Sequence, residues 1–187
     1  MIGRSPVRIS RCGRAFLLLV FYMLASQVCV AGDRVVRSLA EIRHERVVMQ
    51  KWDLSCGSAA LATLLTYDYN DPVSERAIAS SMLHRTDPLK VRVRGGFSLL
   101  NLQEFAEARG YEASGYGNAT LEDLEHMLPA IVPLHIHGYD HFVVARAMAR
   151  GQVFFADPAY GLRTLSNADF DEAWEQKVAF VIERRPR

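Results

Sequence analysis

Gln50-Lys-Trp-Asp-Leu-Ser-Cys-Gly57 runs directly into Ser58-Ala-Ala-Leu-Ala-Thr-Leu-Leu-Thr66. The second segment is rich in helix formers, with Ala59, Ala62 and Leu65, or Leu61 and Leu64, recurring at helical spacing. Asp53 and Ser55 offer N-cap side chains just upstream, which predicts Cys56 in the first turn of a helix. There the unpaired amide N–H groups and the positive end of the helix dipole favour a thiolate over a thiol. A phosphate-cradling loop also uses a helix start, but this stretch has one glycine and no lysine where such a loop needs them. The site therefore suits a nucleophilic sulfur better than a phosphate, and no cofactor is implied.

Outward from this stretch, the chain of 187 residues is half hydrophobic, enough for one substantial core and one domain. Its 22 Lys+Arg against 21 Asp+Glu argue against a nucleic-acid binder driven by bulk charge. Arg4, Arg8, Arg11 and Arg14 precede the apolar run from Ala15 to Ala25, and small and polar residues lead on to Cys29-Val-Ala31. This reads as a signal peptide over 1–31, cut before Gly32, with residues 32–187 exported to the periplasm. The apolar run is shorter than the roughly 20 residues a helix needs to cross a bilayer, so no stable membrane span is expected after cleavage. An uncleaved anchor extended through Val30 is the alternative; bulky Val28 argues against lipoprotein processing at Cys29. With Cys12 and Cys29 in the signal, the mature chain keeps only Cys56. A lone thiol in an oxidising compartment has either burial or reactivity behind it.

Residues 33–46 are charged and loosely periodic, a surface lead-in with a short strand expected at 46–49. After the Cys56 helix and a turn cluster over 67–72, Ser74 is placed to cap a second helix over 75–83. A long loop over 84–96 carries Lys90, Arg92 and Arg94, read as a solvated face or a meeting point for an acidic substrate segment. Ser98 then caps a third helix with Leu99, Leu102, Phe105 and Ala106 on its inner face and Gly110 as its stop. Thr120 with Asp123 resembles a capping box opening a short helix to Leu128. Beyond Pro129 the period changes to that of strands, over 131–137, 141–148, 152–156 and 177–182, with a helix over 166–175 before the last. Helices first and antiparallel strands second predict an α+β domain with the helices packed to one side of a sheet.

A cysteine nucleophile needs a base to take up and return a proton, and a third group to orient that base. Of six histidines, His141 opens an apolar strand just after a turn, at a sheet edge facing the Cys56 helix. Asp157 closes the following strand, where antiparallel pairing brings it beside His141. Asp140 is nearer in sequence, but consecutive strand residues point to opposite faces.

Gln50, Cys56-Gly57, Gly96-Phe-Ser98, His141-Phe-Val-Val and Asp157-Pro-Ala-Tyr-Gly161 stand together in an order and spacing that resembles the C39 peptidases over roughly 45–183. These are papain-like cysteine proteases best known as the leader-cleaving domains of bacteriocin exporters, which cut after a double glycine. The resemblance implies a papain-like cysteine protease fold, N-terminal helices on a C-terminal antiparallel sheet. It also implies Cys56 as nucleophile, His141 as general base and acid, Asp157 as orienting acid and Gln50 as oxyanion donor. A side-chain amide beside the Cys56 backbone N–H suits that last role. The family usually carries an acid just before the cysteine, where this chain has Ser55. No exporter membrane domain or ATPase follows in these residues, so the chain is similar to stand-alone exported forms that accompany functional-amyloid or outer-membrane secretion systems.

The expected function is thus an exported thiol peptidase acting on a peptide or protein substrate, a secretion-system or amyloid component among the candidates, with Trp52 a candidate for the cleft wall. Acyl transfer to an amine would use the same residues. Two rivals come from other classes. One is a catalytically idle binding or chaperone module. The other is a zinc site of His135, His137 and His141, for which no further acid or cysteine stands at ligand spacing.

Overall fold

The computed structural model describes residues 36–136 and 138–185. The segment read as a signal peptide, with Cys12 and Cys29, lies outside the described residues, as does His137. Helices lead: α1 Leu39–Arg43, α2 Cys56–Thr63, α3 Glu75–Leu83, α4 Pro88–Arg94 and α5 Leu99–Ala108. Strands β1 Tyr111–Tyr116, β2 Ala130–Ile136, β3 Tyr139–Ala149, β4 Gln152–Asp157, β5 Gly161–Ser166 and β6 Ala179–Arg184 follow, with α6 Leu121–Met127 and α7 Asn167–Ala173 inserted. The strands form one antiparallel sheet in the order β1-β6-β2-β3-β4-β5. The α+β reading holds.

The caps explain where several helices begin. Ser74 accepts from the Ala77 N–H, and α3 has the expected bounds. Ser98 with Asn101, and Thr120 with Asp123, close reciprocal capping boxes ahead of α5 and α6. The stretch read as a loop over 84–96 contains α4, whose Asp87 side chain accepts from the Leu89 N–H and whose first turn holds Pro88. Only Val91 of α4 is buried, so the helix carries little apolar signal. The strand expected at 46–49 is absent: the Val48 N–H donates to the Thr63 hydroxyl instead of to a neighbouring strand.

All eight residues of α2 are buried, and the helix runs on into a π-helical turn over Leu64–Asp68. A helix apolar on every side belongs in the centre of a core. Here it is packed with Ile78, Met82, Leu102 and Ala106 from α3 and α5 and with Ile131, Val144, Ala156 and Phe180 from the sheet. The far face of the sheet carries a second core of Val132, Leu134, Val143 and Phe155 with Leu124, Phe170 and Trp174. The N-terminal helices therefore cover one face as expected, and α6 with α7 cover the other. Covering both faces is why β2 is buried from Ala130 to Leu134 without alternation.

Candidate active site

Cys56 opens α2, where its N–H is one of the first-turn amides with no intrahelical acceptor. Ser55 occupies the N-cap position but makes no capping bond, and Asp53 does not cap either, which corrects the expectation for that turn. The Ser55 hydroxyl lies 2.7 Å from the Trp52 carbonyl oxygen and 2.5 Å from Glu75 Oε1. Gly57 lets the helix start sit close against its neighbours: a Cβ there would come within 3.2 Å of both Leu102 and the Phe142 ring. Cys56 is 6% exposed.

His141 and Asp157 come from β3 and β4. The strand begins two residues before His141, at Tyr139, so His141 lies inside the ladder opposite Leu134. His141 Nε2 is 2.7 Å from Asp157 Oδ1, and both groups are buried. With Nε2 so engaged, Nδ1 is the ring nitrogen left for Cys56. Burial alone would lower the His141 pKa; hydrogen bonds with Asp157 and Cys56, and the charges of both, outweigh it and push it up to about 9.

Asp157 is fully buried yet well supplied with donors. Its Oδ1 also accepts from the Ala159 N–H at 2.8 Å and the Tyr160 N–H at 3.3 Å, and its Oδ2 accepts from Arg163 at 2.9 Å. Burial would raise its pKa, but His141, the Ala159 N–H and Arg163 hold the carboxylate below its ordinary value. The turn that follows closes at Gly161, with φ of 84°, where a Cβ would collide with the Arg43 carbonyl.

Gln50 is tied to the same turn, its N–H donating to the Pro158 carbonyl at 2.8 Å. Its Nε2 makes one long bond to the Trp52 carbonyl, 3.4 Å, and its Oε1 is buried without a protein partner among the described residues. A cleft of about 380 Å³ opens at Cys56, lined also by Phe97, Leu99, Leu100 and Phe142, with Arg94 and Asp140 among its charged groups. Of the basic trio, Arg94 thus reaches the cleft. Trp52 does not line it: the indole borders a separate hollow, with Arg76 5.8 Å from the ring centre. The register also parts the histidines of the zinc reading. Leu134 stands opposite His141 and His135 opposite Asp140, so His135 and His141 point to different faces, and His135 pairs with Asp140 at 3.1 Å.

Reasoning from sequence missed Arg163 and Glu75. Arg163 was findable in principle: it faces Phe155 across the β4–β5 ladder, one diagonal step from Asp157. It was hidden because β5 was not recognised as a strand. Glu75 is by position an ordinary first-turn acid of α3, and nothing local signals that its carboxylate turns inward to residues 51 and 55.

The Peptidase C39 family model matches residues 44–186. A protein of Pseudomonas aeruginosa described as "Probable functional amyloid protease FapD" is 41% identical over 149 residues, which cover 79% of this chain and 65% of that relative. The double glycine motif protease from an AMS/PCAT transporter, crystallised in complex with the leader peptide, aligns at 26% identity and a TM-score of 0.58. That alignment covers 74% of this chain and 91% of the other. The peptidase domain of Streptococcus ComA, a bi-functional ABC transporter involved in a quorum sensing pathway, shares the fold at 21% identity and a TM-score of 0.62. It covers 76% of this chain and all of the other. With its papain-like arrangement of helices on an antiparallel sheet, this chain belongs to the Peptidase C39 family.

Proposed function

We propose that this chain is an exported cysteine peptidase that cleaves an extended peptide segment through an acyl-enzyme, and that its substrate belongs to a secreted amyloid-forming system. The observation that carries the reading is buried His141, which bonds Asp157 at 2.7 Å on one ring nitrogen and stands near enough to Cys56, at the start of α2, for that side chain to help raise its pKa. The similarity to a protein described as a functional amyloid protease supports the substrate class.

In this reading the Cys56 thiolate, paired with the His141 imidazolium, attacks the scissile carbonyl carbon. The C–N bond breaks as His141 gives its proton to the leaving amine, leaving a thioester on Cys56. His141, now neutral, takes a proton from water, whose oxygen attacks the thioester, and the Cys56 thiolate departs. Asp157 holds the ring and stabilises its charge throughout. The oxyanion of each tetrahedral intermediate is received by the Cys56 N–H and by the second N–H of Gln50 Nε2, whose other N–H meets the Trp52 carbonyl at 3.4 Å.

The test incubates the purified protein and its Cys56→Ala variant with a library of peptides derived from bacterial secreted proteins, with product sites and acid-quenched intact mass read by mass spectrometry. The expected result is cleavage by the native protein alone, with an N-terminal fragment transiently attached to Cys56. Intact peptides and an unmodified Cys56 would overturn the reading and favour a binding module. Adding glycinamide separates hydrolysis from acyl transfer by the mass of the released product.

A further inference from the structure

Glu75 is, with Asp157, one of two buried acids among the described residues, and the mechanism above makes no use of it. Its Oε1 accepts from the Lys51 N–H at 2.9 Å and meets the Ser55 hydroxyl at 2.5 Å. Those two partners sit beside the groups that would bind an oxyanion: Lys51 follows Gln50, and Ser55 precedes Cys56. The Ser55 hydroxyl has one proton and two acceptors in reach, Glu75 and the Trp52 carbonyl. A carboxylate is the stronger acceptor, and the Trp52 carbonyl already receives the Ser55 N–H at 3.2 Å and Gln50 Nε2. The proton therefore belongs to the bond with Glu75.

Residues 51–55 form neither helix nor strand, so no regular backbone ladder fixes the distance between Gln50 and Cys56. Two attachments from elsewhere do: the Pro158 carbonyl holds the Gln50 N–H, and Glu75 at the start of α3 gathers both ends of the loop. Resting on the peptidase reading, we propose that Glu75 is a positioning residue for the oxyanion donors, a carboxylate from another helix that sets the Gln50 amide and the Cys56 N–H on one point. His141 and Asp157 stand on β3 and β4 and are bonded to neither partner of Glu75. Removing Glu75 breaks no bond of His141 or Asp157 and loosens the loop that carries the donors.

The two effects separate with two probes. Iodoacetamide reacts with Cys56 by displacement of iodide and forms no oxyanion. Acetylglycyl-glycinal adds the thiol across its carbonyl to give a thiohemiacetal, whose S–C bond forms at Cys56 and whose oxygen sits where the intermediate's would. Its binding is read as protection of Cys56 from iodoacetamide. For Glu75→Ala and Ser55→Ala the expected result is aldehyde binding weakened about 10- to 100-fold, the scale of a misplaced or lost donor, with an unchanged iodoacetamide pH profile. Glu75→Gln, which keeps an acceptor oxygen, recovers part of the loss. Variants that bind the aldehyde within twofold of the native protein would overturn the proposal. So would variants that lose alkylation and aldehyde binding together as they lose thermal stability, which is what a merely structural role produces. A native protein that shows no aldehyde protection would overturn the peptidase reading and this inference with it. Should Glu75→Ala fail to fold, Glu75→Gln and Ser55→Ala carry the same comparison.

Discussion

Replacing Asp157 by Asn keeps the shape of the side chain and removes its charge. The His141 pKa stands at about 9, some 2.5 units above its ordinary 6.5. At 1.36 kcal/mol per unit that is about 3 kcal/mol in favour of the imidazolium. Burial acts in the opposite direction and is the largest single influence on the ring, so without the Asp157 carboxylate, with Cys56 alone left to oppose burial, the pKa should fall well below 9. At pH 7.5 the native ring would be about 97% protonated and the variant's markedly less. The sign for stability follows. A folded-state pKa raised above the unfolded one contributes stability that is complete below pH 6.5 and disappears as pH rises through about 9. The His141 contribution lost across that window is up to about 3 kcal/mol, and it should be smaller in Asp157→Asn. Nitrogen-detected NMR titration of the His141 ring gives the pKa directly. A ring that titrates near 6.5 in the native protein, or still near 9 in Asp157→Asn, would show that Asp157 does not hold the charge on His141.

Arg163→Met keeps a stem where the guanidinium lies over Phe155 and Tyr160 but removes one of the Asp157 donors. The His141 pKa should shift by less than in Asp157→Asn, and the Asp157 pKa should rise, both readable by NMR titration. Gly57→Ala forces a methyl to within 3.2 Å of Leu102 and Phe142. Overpacking of this kind costs about 1–3 kcal/mol, more than the helix gains from alanine, so denaturant midpoints should fall and alkylation of Cys56 should slow. Trp174→Ala empties the core on the far face of the sheet, where the indole is fully buried and donates to the Val178 carbonyl at 2.9 Å. Stability should drop by about 3–5 kcal/mol, while the surviving folded protein keeps the native pH profile of alkylation.

The strongly patterned parts of the fold were legible. Ser74, Ser98 and Thr120 each cap a helix they were expected to cap, because an N-cap is a local contract between one side chain and the next turn. The inner strands were legible for a different reason: β2 over Ala130–Leu134 and β3 over Val143–Ala145 are buried on both faces and read as continuous apolar runs. The strands that escaped notice, β1 and β5, are the two edges of the sheet. Tyr111-Glu-Ala-Ser-Gly-Tyr116 and Gly161-Leu-Arg-Thr-Leu-Ser166 bury one face at most, and their pairing partners, not their composition, make them strands.

At the site, the sequence pointed to Cys56, His141, Asp157 and Gln50, and the fold brings these residues to one end of α2. What it could not supply was the set of contacts that hold them. Ser55 has the side chain of an N-cap, and only a carboxylate arriving from 20 residues away explains why it does not act as one. Likewise, Asp157 is oriented by an Asx-type turn and by Arg163, and the second of these depends on a strand with little signal of its own.

The central claim is that Cys56 and His141 work as a charge pair, and the alkylation rate of Cys56 at about pH 6 tests it most directly. There a free thiol of pKa about 8.5 is less than roughly 1% thiolate. If the pair exists, native Cys56 should react with iodoacetamide at least about tenfold faster at that pH than a free cysteine, and His141→Ala should abolish the excess. A native thiol whose rate follows that of free cysteine across the pH range, unchanged by loss of His141, would contradict the account.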